Sequence, residues 1–309
     1  MKKLKIGIIG TGGIAHSHAN AYMGMEDVEL AAGADIVDGK AREFFDSLGL
    51  KNAGAFNSAK EMFESVKLDA VSVCTYNTTH AVCAVEALKA GCHVLLEKPM
   101  TVTLDDAKAI IKAEKETGKI LTIGFQPRYD SRMKKIKEIV QSGTLGKIYY
   151  IQTGGGRRRG MPGKTFIEKK YAGVGALADI GCYSLDMVLN SIGYPKPLTV
   201  SAVAYDYFGK NPKYTPAADA ARFNVDDFCG AFIRLEGGIT LDFRMSWAMH
   251  MDSTGATIFL GTDAGLKVEP AAPANNPLWG GAWDGSCGDV SIFHDVMGVP
   301  THTPIPMRD

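Results

Sequence analysis

The 309-residue chain lacks any excess charge, with 34 Lys and Arg balanced by 34 Asp and Glu. Without a net field there is nothing to draw a nucleic acid, an anionic membrane or a polyanionic substrate, so a small-molecule partner is expected. It also lacks a C-x-x-C pair: its six cysteines, Cys74, Cys83, Cys92, Cys182, Cys229 and Cys287, are scattered. Free thiols in a reducing compartment follow, and no zinc site is signalled. No apolar run of membrane-spanning length is evident, and the apolar start "KIGIIGTGG" is broken by glycines at once, unlike a signal peptide. A cytoplasmic protein is expected. Histidines offer no metal site either: His16 and His18 point in different directions on a predicted helix, and His93, His250, His294 and His302 are isolated.

What is present is apolar content of 46% over a length that suggests about two domains. From residue 4 to about 125, the β-branched runs "LKIGIIG", "VELAAGAD", "DAVSVCT", "CHVLLEK" and "ILTIGF" alternate with helix candidates near 14–25, 38–49, 58–66, 79–90 and 103–117. That rhythm predicts a parallel sheet covered by helices, the first domain, residues 1–125. A helix near 130–142 follows, and then longer strands, "GKIYYIQT", "LTVSAVAYDYF", "DFCGAFIRL" and "GITLDFRMSW", predict a large, mostly antiparallel open sheet in an α/β domain, residues 126–309.

Keeping Ile233 and Leu235 on one face with Ile239 and Leu241 requires an odd loop, and Glu236-Gly237-Gly238 supplies one. The other face would carry Arg234, Thr240, Asp242 and Arg244, open to solvent or to another subunit. From about 270, "EPAAPANNPLWGGAWDGSCG" reads as loop.

"GIIGTGGIA" sets Gly10, Gly12 and Ala15 in the G-x-G-x-x-G/A pattern, after a strand and opening a helix. The turn from Gly10 through Thr11, Gly12, Gly13 and Ile14 is therefore a candidate dinucleotide cradle, with the pyrophosphate at a helix N-terminus. Asp35 follows the second strand, about 20 residues after the motif, where a carboxylate accepts ribose hydroxyls. A carboxylate there repels a 2′-phosphate, so NAD is favoured over NADP.

The segments "GIIGTGGIA", "CTYNTTH", "EKPM", "GFQPRYD", "SGTLGKIYYIQ" and "GVGALADIGCYSLDM" stand in the order shown by the family containing glucose-fructose oxidoreductase, inositol dehydrogenase and MocA. The chain resembles that family over essentially its whole length. The resemblance implies a doubly wound Rossmann domain followed by an α/β domain with an open sheet, NAD(P)-dependent dehydrogenation of sugars or cyclitols, and a homo-oligomer. It also implies that Lys98 lies near nicotinamide and the substrate hydroxyl, and that Glu97 helps shape the cofactor site. Thr75, Asn77 and His80 would line the nicotinamide ribose, with Tyr76 in place of the usual proline and a different loop path. Ligands bind outside the carboxyl ends of such sheets, which suits Lys98, and burial there disfavours its ammonium form as a proton relay needs.

Members of the family often carry Asp-x-x-x-His in the helix that here reads "LADIGCYSLDM", so Asp179 is expected to orient substrate while Tyr183 replaces the histidine. In a regular helix Asp179, Tyr183 and Asp186 share one face. A phenol with an unperturbed pKa of about 10 is a poor base unless a cation stabilises the phenolate. Two mechanisms stay open: Tyr183 as acid/base tuned by Lys98, or Lys98 as proton acceptor with Tyr183 positioning substrate. Asp186 is assigned to structure. Gln126, Arg128 and one of Arg157, Arg158 and Arg159, first Arg157, are further candidates for cofactor or substrate contact. Relatives continue past "TPIPMRD" with another helical segment, so a shortened or unusual C-terminus is implied.

The expected function is hydride transfer between NAD and a carbinol carbon of a sugar, cyclitol or related polyol. The alternatives are redox-assisted glycoside cleavage with no net cofactor change, and a dinucleotide-sensing regulator without turnover.

Overall fold

A computed structural model describes residues 3–251, 253–270 and 287–307. They divide into two units, Met1–Gly124 with Lys170–Gly173, and Phe125–Lys169 with Val174–Asp309.

The first unit alternates β1 (Leu4–Ile9), α1 (Gly13–Met23), β2 (Val28–Ala34), α2 (Lys40–Ser47), β3 (Gly54–Phe56), α3 (Ala59–Ser65), β4 (Ala70–Val73), α4 (His80–Lys89), β5 (His93–Leu96), α5 (Leu104–Thr117) and β6 (Leu121–Ile123). All six strands are parallel, in the order β3-β2-β1-β4-β5-β6. The chain starts mid-sheet and winds outward both ways, placing a switch point between β1 and β4, where such sheets bind ligands.

Strands covered on both faces must be apolar on both, which is why Ile6, Ile8 and Ile9 are all buried. One layer of core gathers Met62, Val71, Leu88, Leu96 and Ile110, the other Ile8, Leu30, Phe44 and Phe45. Local chemistry sets the helix starts: Ser58 Oγ accepts the Glu61 N–H, and Thr103 Oγ1 accepts the Asp106 N–H while donating to its carboxylate. The excursion Lys170–Gly173 joins this unit through bonds from Asn77 Nδ2 to Ala172 O and Thr78 Oγ1 to Lys170 O, at 3.0 and 3.1 Å. Nothing in the sequence announces it.

The second unit contains α6 (Ser131–Gln141), β7 (Tyr150–Gly156), the first residue of a short α7 (Lys169–Ala172), α8 (Cys182–Ile192), β8 (Pro197–Tyr205), β9 (Phe228–Leu235), β10 (Thr240–Ser246), β11 (Thr257–Leu260), β12 (Gly265–Pro270), β13 (Cys287–Val296) and β14 (Val299–Ile305). The eight strands lie in the order β14-β13-β12-β11-β7-β10-β9-β8, antiparallel except for the central parallel pair of β7 and β10. Met133, Ile136 and Val140 of α6 and Met187 and Val188 of α8 share a core with Ile151, Leu241 and Phe259 of the sheet.

The hairpin forms with its three-residue loop: Leu235 N–H bonds Ile239 O at 2.8 Å, and Gly237 sits at φ 79°. Its opposite face is a polar ladder, in which Arg244 bonds Asp242 and Gln152, and Tyr150 bonds Asp242. Thr240 is buried rather than open to solvent. The run read as loop from 270 lies outside the described residues over 271–286, but Cys287, inside that run, already begins a strand.

Candidate active site

At the end of β1 the chain turns at Gly10 with φ 85°, and a Cβ there would fall 2.8 Å from Cys74 O, so only glycine fits. Cβ atoms on Gly12 or Gly13 would meet nothing within 4 Å, so that side of the turn is open. Gly12 caps α1 without a side-chain hydrogen bond, which leaves the first helical amides to an anion. Ala15 is fully buried, where helix packs on strand.

Asp35 is buried just beyond β2. Its Oδ2 accepts Thr11 N–H at 2.9 Å and Thr11 Oγ1–H at 3.0 Å and pairs with Lys40 Nζ at 2.9 Å, while Oδ1 accepts Val37 N–H. Burial alone would raise its pKa, but the Val37 N–H, Lys40 and the Thr11 N–H outweigh it and hold the carboxyl below its ordinary value. Beside it Ile36 and Val37 are 80% and 50% exposed, an apolar flank suited to an adenine ring. Sequence reading missed Ile36, Val37 and Lys40, although all three lie within five residues of Asp35.

Beyond β4 and β5 stand Thr75, Asn77, His80, Glu97 and Lys98. His80 Nδ1–H donates to Pro99 O at 2.8 Å, while its buried Nε2 has no hydrogen-bond partner among the described residues. Burial lowers the His80 pKa, with Lys98 adding to it against the opposing Pro99, Thr75 and Glu97. The ring is therefore neutral and Nε2 is a bare acceptor, a buried orphan of the kind a ribose hydroxyl satisfies. With the open glycine turn and Asp35, this fits NAD. Glu97 is buried, with Oε1 2.8 Å from His18 Nε2 and Oε2 accepting Lys98 N–H at 3.2 Å. Tyr76, where relatives have proline, packs its ring on Tyr171 at 4.9 Å.

In the second unit, the Asp226 carboxylate takes the N–H groups of Gly175 and Leu177 at 2.7 and 2.9 Å, and a Cβ on Gly175 would lie 1.9 Å from Asp226 O. The segment that follows, Leu177–Gly181, is π-helical and runs into α8. The regular α-helical line expected for Asp179, Tyr183 and Asp186 therefore does not form, because an i→i+5 turn offsets the phase of everything after it. Asp179 Oδ2 accepts the indole N–H of fully buried Trp247 at 2.9 Å, and the Tyr183 ring meets Phe125 edge-on at 6.4 Å.

Asp186, assigned to structure, is an ion-pair partner: Arg128 Nε donates to it at 2.7 Å, Arg128 Nη2 also donates, and Tyr194 OH donates at 2.8 Å. Arg128, a substrate candidate, thus has its guanidinium clamped by Asp186. Arg157 is buried, with Nη1 donating to Gly160 O and its main chain paired with Ser246 and Met249. Arg159 lies over the Phe208 and Tyr214 rings instead, and Gln126 opens an exposed 3₁₀ turn, Gln126–Tyr129.

Among the described residues no cluster of three or more His, Cys, Asp or Glu could hold a metal, and all six cysteines are free. The expectation of no membrane-length apolar run needs correcting, since Lys169–Ile192 passes by length and composition. Still, 56% of its apolar window is buried inside the protein, as in a core helix.

Residues 4–125 match an oxidoreductase family with an NAD-binding Rossmann fold, GFO_IDH_MocA, and residues 133–267 match the GFO/IDH/MocA C-terminal domain. D-glucoside 3-dehydrogenase of Escherichia coli (strain K12) is 32% identical over 274 residues, 87% of this chain and 78% of that protein. Myo-inositol 2-dehydrogenase of Thermotoga maritima is 35% identical over 149 residues, 48% of this chain and 44% of that one. The structure of levoglucosan dehydrogenase with NADH and L-sorbose superposes with a TM-score of 0.78 at 20% identity, covering 99% of this chain and 80% of the other, a likeness of fold alone. The chain belongs to the Gfo/Idh/MocA family of oxidoreductases, and its first unit is that family's NAD-binding domain.

Proposed function

We propose that this NAD-dependent oxidoreductase oxidises a carbinol carbon of a sugar, cyclitol or related polyol. The observation that carries the reading is the cluster past β4 and β5, where Lys98 follows buried Glu97 and neutral His80 offers an unfilled acceptor. The likeness to a D-glucoside dehydrogenase supports the substrate class.

NAD, when bound, supplies the hydride acceptor. Gly10–Ile14 and Asp35 would hold its pyrophosphate and adenosine ribose, and Thr75, Asn77 and His80 the second ribose. Lys98 takes the hydroxyl proton, since a bound cofactor would desolvate its ammonium and favour the free amine, whereas the same desolvation disfavours a phenolate. Tyr183 then acts as a hydrogen-bond donor to substrate. Asp179, its carboxylate fixed by Trp247, orients a neighbouring hydroxyl. Gln126 and Arg157 are secondary contacts for cofactor and substrate. Self-association would use the open sheet of the second unit, where Leu198, Val200, Val203 and Phe232 are exposed.

The test is incubation with NAD and a panel of sugars and cyclitols, followed by absorbance of reduced nicotinamide. Lys98→Met should lower kcat by at least about 100-fold with NADH binding retained, and Tyr183→Phe by about tenfold. Absence of turnover with every polyol, or an unaffected Lys98→Met, rejects the reading.

A further inference from the structure

Four side chains of the first unit form a partly buried hydrogen-bonded line. Tyr22 OH lies 2.6 Å from Ser72 Oγ, Ser72 Oγ lies 3.0 Å from His18 Nδ1, and His18 Nε2 lies 2.8 Å from Glu97 Oε1. His18 and Tyr22 are one turn apart on α1, so both face β4, which supplies Ser72; Glu97 follows β5. Ser72 is 0% exposed, Glu97 5% and the His18 side chain 10%, so water cannot readily replace any of these partners.

Proton bookkeeping fixes the donor at the Glu97 end of the line. A carboxylate only accepts, so His18 Nε2 carries the N–H. Burial raises the Tyr22 pKa against the Ser72 hydrogen bond, with Cys74 adding to it, and the phenol keeps its proton. Tyr22 O–H then donates to Ser72, Ser72 O–H to His18 Nδ1, and His18 Nε2–H to Glu97, with every group satisfied. A proton on Nδ1 would only turn Ser72 from donor to acceptor there and leave the Nε2–H on Glu97 in place.

We propose that His18 is a positioning residue: its Nε2–H fixes the Glu97 carboxylate, whose other oxygen holds the main-chain N–H of Lys98 and so sets where the lysine starts. The inference rests on Lys98 being the proton acceptor. It also joins two parts of the cofactor domain, because the helix that opens at the glycine turn is the helix that carries His18. Deleting the imidazole leaves a buried carboxylate short of a donor and free to turn.

The experiment compares His18→Leu and His18→Gln with Lys98→Met, using the best substrate of the panel. Displacement of a catalytic group by a fraction of an ångström is felt mainly in turnover, so His18→Leu should lower kcat by about tenfold or more with substrate KM and NADH Kd within about threefold. His18→Gln, which returns an N–H near the Nε2 position, should recover most of it. On the unmodified protein, histidine-ring ¹⁵N shifts should show a proton on His18 Nε2, a readout independent of how the variants fold. Unchanged kcat in His18→Leu, no recovery in His18→Gln, or an Nε2 that carries no proton overturns the proposal. Wild-type turnover in Lys98→Met instead removes the proton assignment, whereas an inactive Lys98→Met beside a fully active His18→Leu removes only the role of His18.

Discussion

Lys40 Nζ lies 2.9 Å from Asp35 Oδ2, so the carboxylate proposed to receive the adenosine ribose is partly neutralised by the protein's own cation. A bare carboxylate excludes a 2′-phosphate by repulsion, and one with an ammonium beside it does so less. Lys40→Ala should therefore leave NADH affinity within about threefold while weakening NADPH several-fold, the size of effect expected for a half-exposed pair. Asp35→Ala should weaken NADH by about 10- to 100-fold, the loss of hydrogen bonds to a charged acceptor. Fluorescence titration with both nucleotides measures each, and an unchanged ratio in Lys40→Ala would assign the pair to folding alone.

Gly10→Ala tests the turn. Its φ of 85° and the Cβ contact with Cys74 O at 2.8 Å make any side chain strained. We expect a loss of about 1–3 kcal/mol in unfolding free energy together with weakened NADH binding. Full stability and full binding in this variant would show that the turn adjusts.

Arg128→Met separates a clamp from a substrate contact. Removing the guanidinium leaves Asp186 buried with the Tyr194 hydroxyl still donating to it, and a destabilisation of about 1–3 kcal/mol should appear as a lower Tm. A substrate-binding arginine would instead lower kcat/KM at unchanged Tm. In the same cluster, burial first and then the Asp186 carboxylate hold the Tyr194 phenol up at about 12, against Arg128. Asp186→Asn should let that phenolate form at lower pH, visible by difference absorbance.

Asp227 gives a pH signature. Burial pushes its carboxyl up to about 6, against the Phe208 and Gly209 N–H groups at 2.7 Å and with Asp206 and Asp226 adding to the rise. The folded protein therefore binds this proton more tightly than the unfolded chain. The stability it contributes is present in full below the unfolded value of about 4 and is lost as pH rises to about 6. Asp227→Asn, which can accept both N–H groups on one oxygen, should flatten that part of the Tm against pH curve. An unaltered slope would place the titration elsewhere.

Legibility followed the range of the interaction. Parallel strands covered on both faces leave continuous apolar runs, and the glycine pattern records a local backbone need, so the first sheet and its turn could be read directly. The three-residue β3, "GAF", has no β-branched residue and escaped notice. β14 carries Pro300 and Pro304, which suit the edge of a sheet but read as loop. His18 was set aside as a metal ligand and given no other role because its partner Glu97 is 79 positions away, and Arg128 looked like a cofactor or substrate contact because Asp186 is 58 positions on. Residue types at Asp179 and Tyr183 were visible, whereas the wide turn between Leu177 and Gly181 depends on the distant Asp226 and Trp247.

That wide turn makes the chain's length there a matter of phase. Deleting one residue between 177 and 181 would replace five π residues by about one α turn and leave Cys182–Ile192 nearly in phase, whereas adding one residue would rotate it by about 100° relative to its anchor. Met187 and Val188 would leave the core and Asp186 would swing away from Arg128, while substitutions on the same outer surface leave that alignment intact. Libraries that lengthen this segment should therefore lose folded members far faster than libraries that shorten it by one residue or vary only its letters.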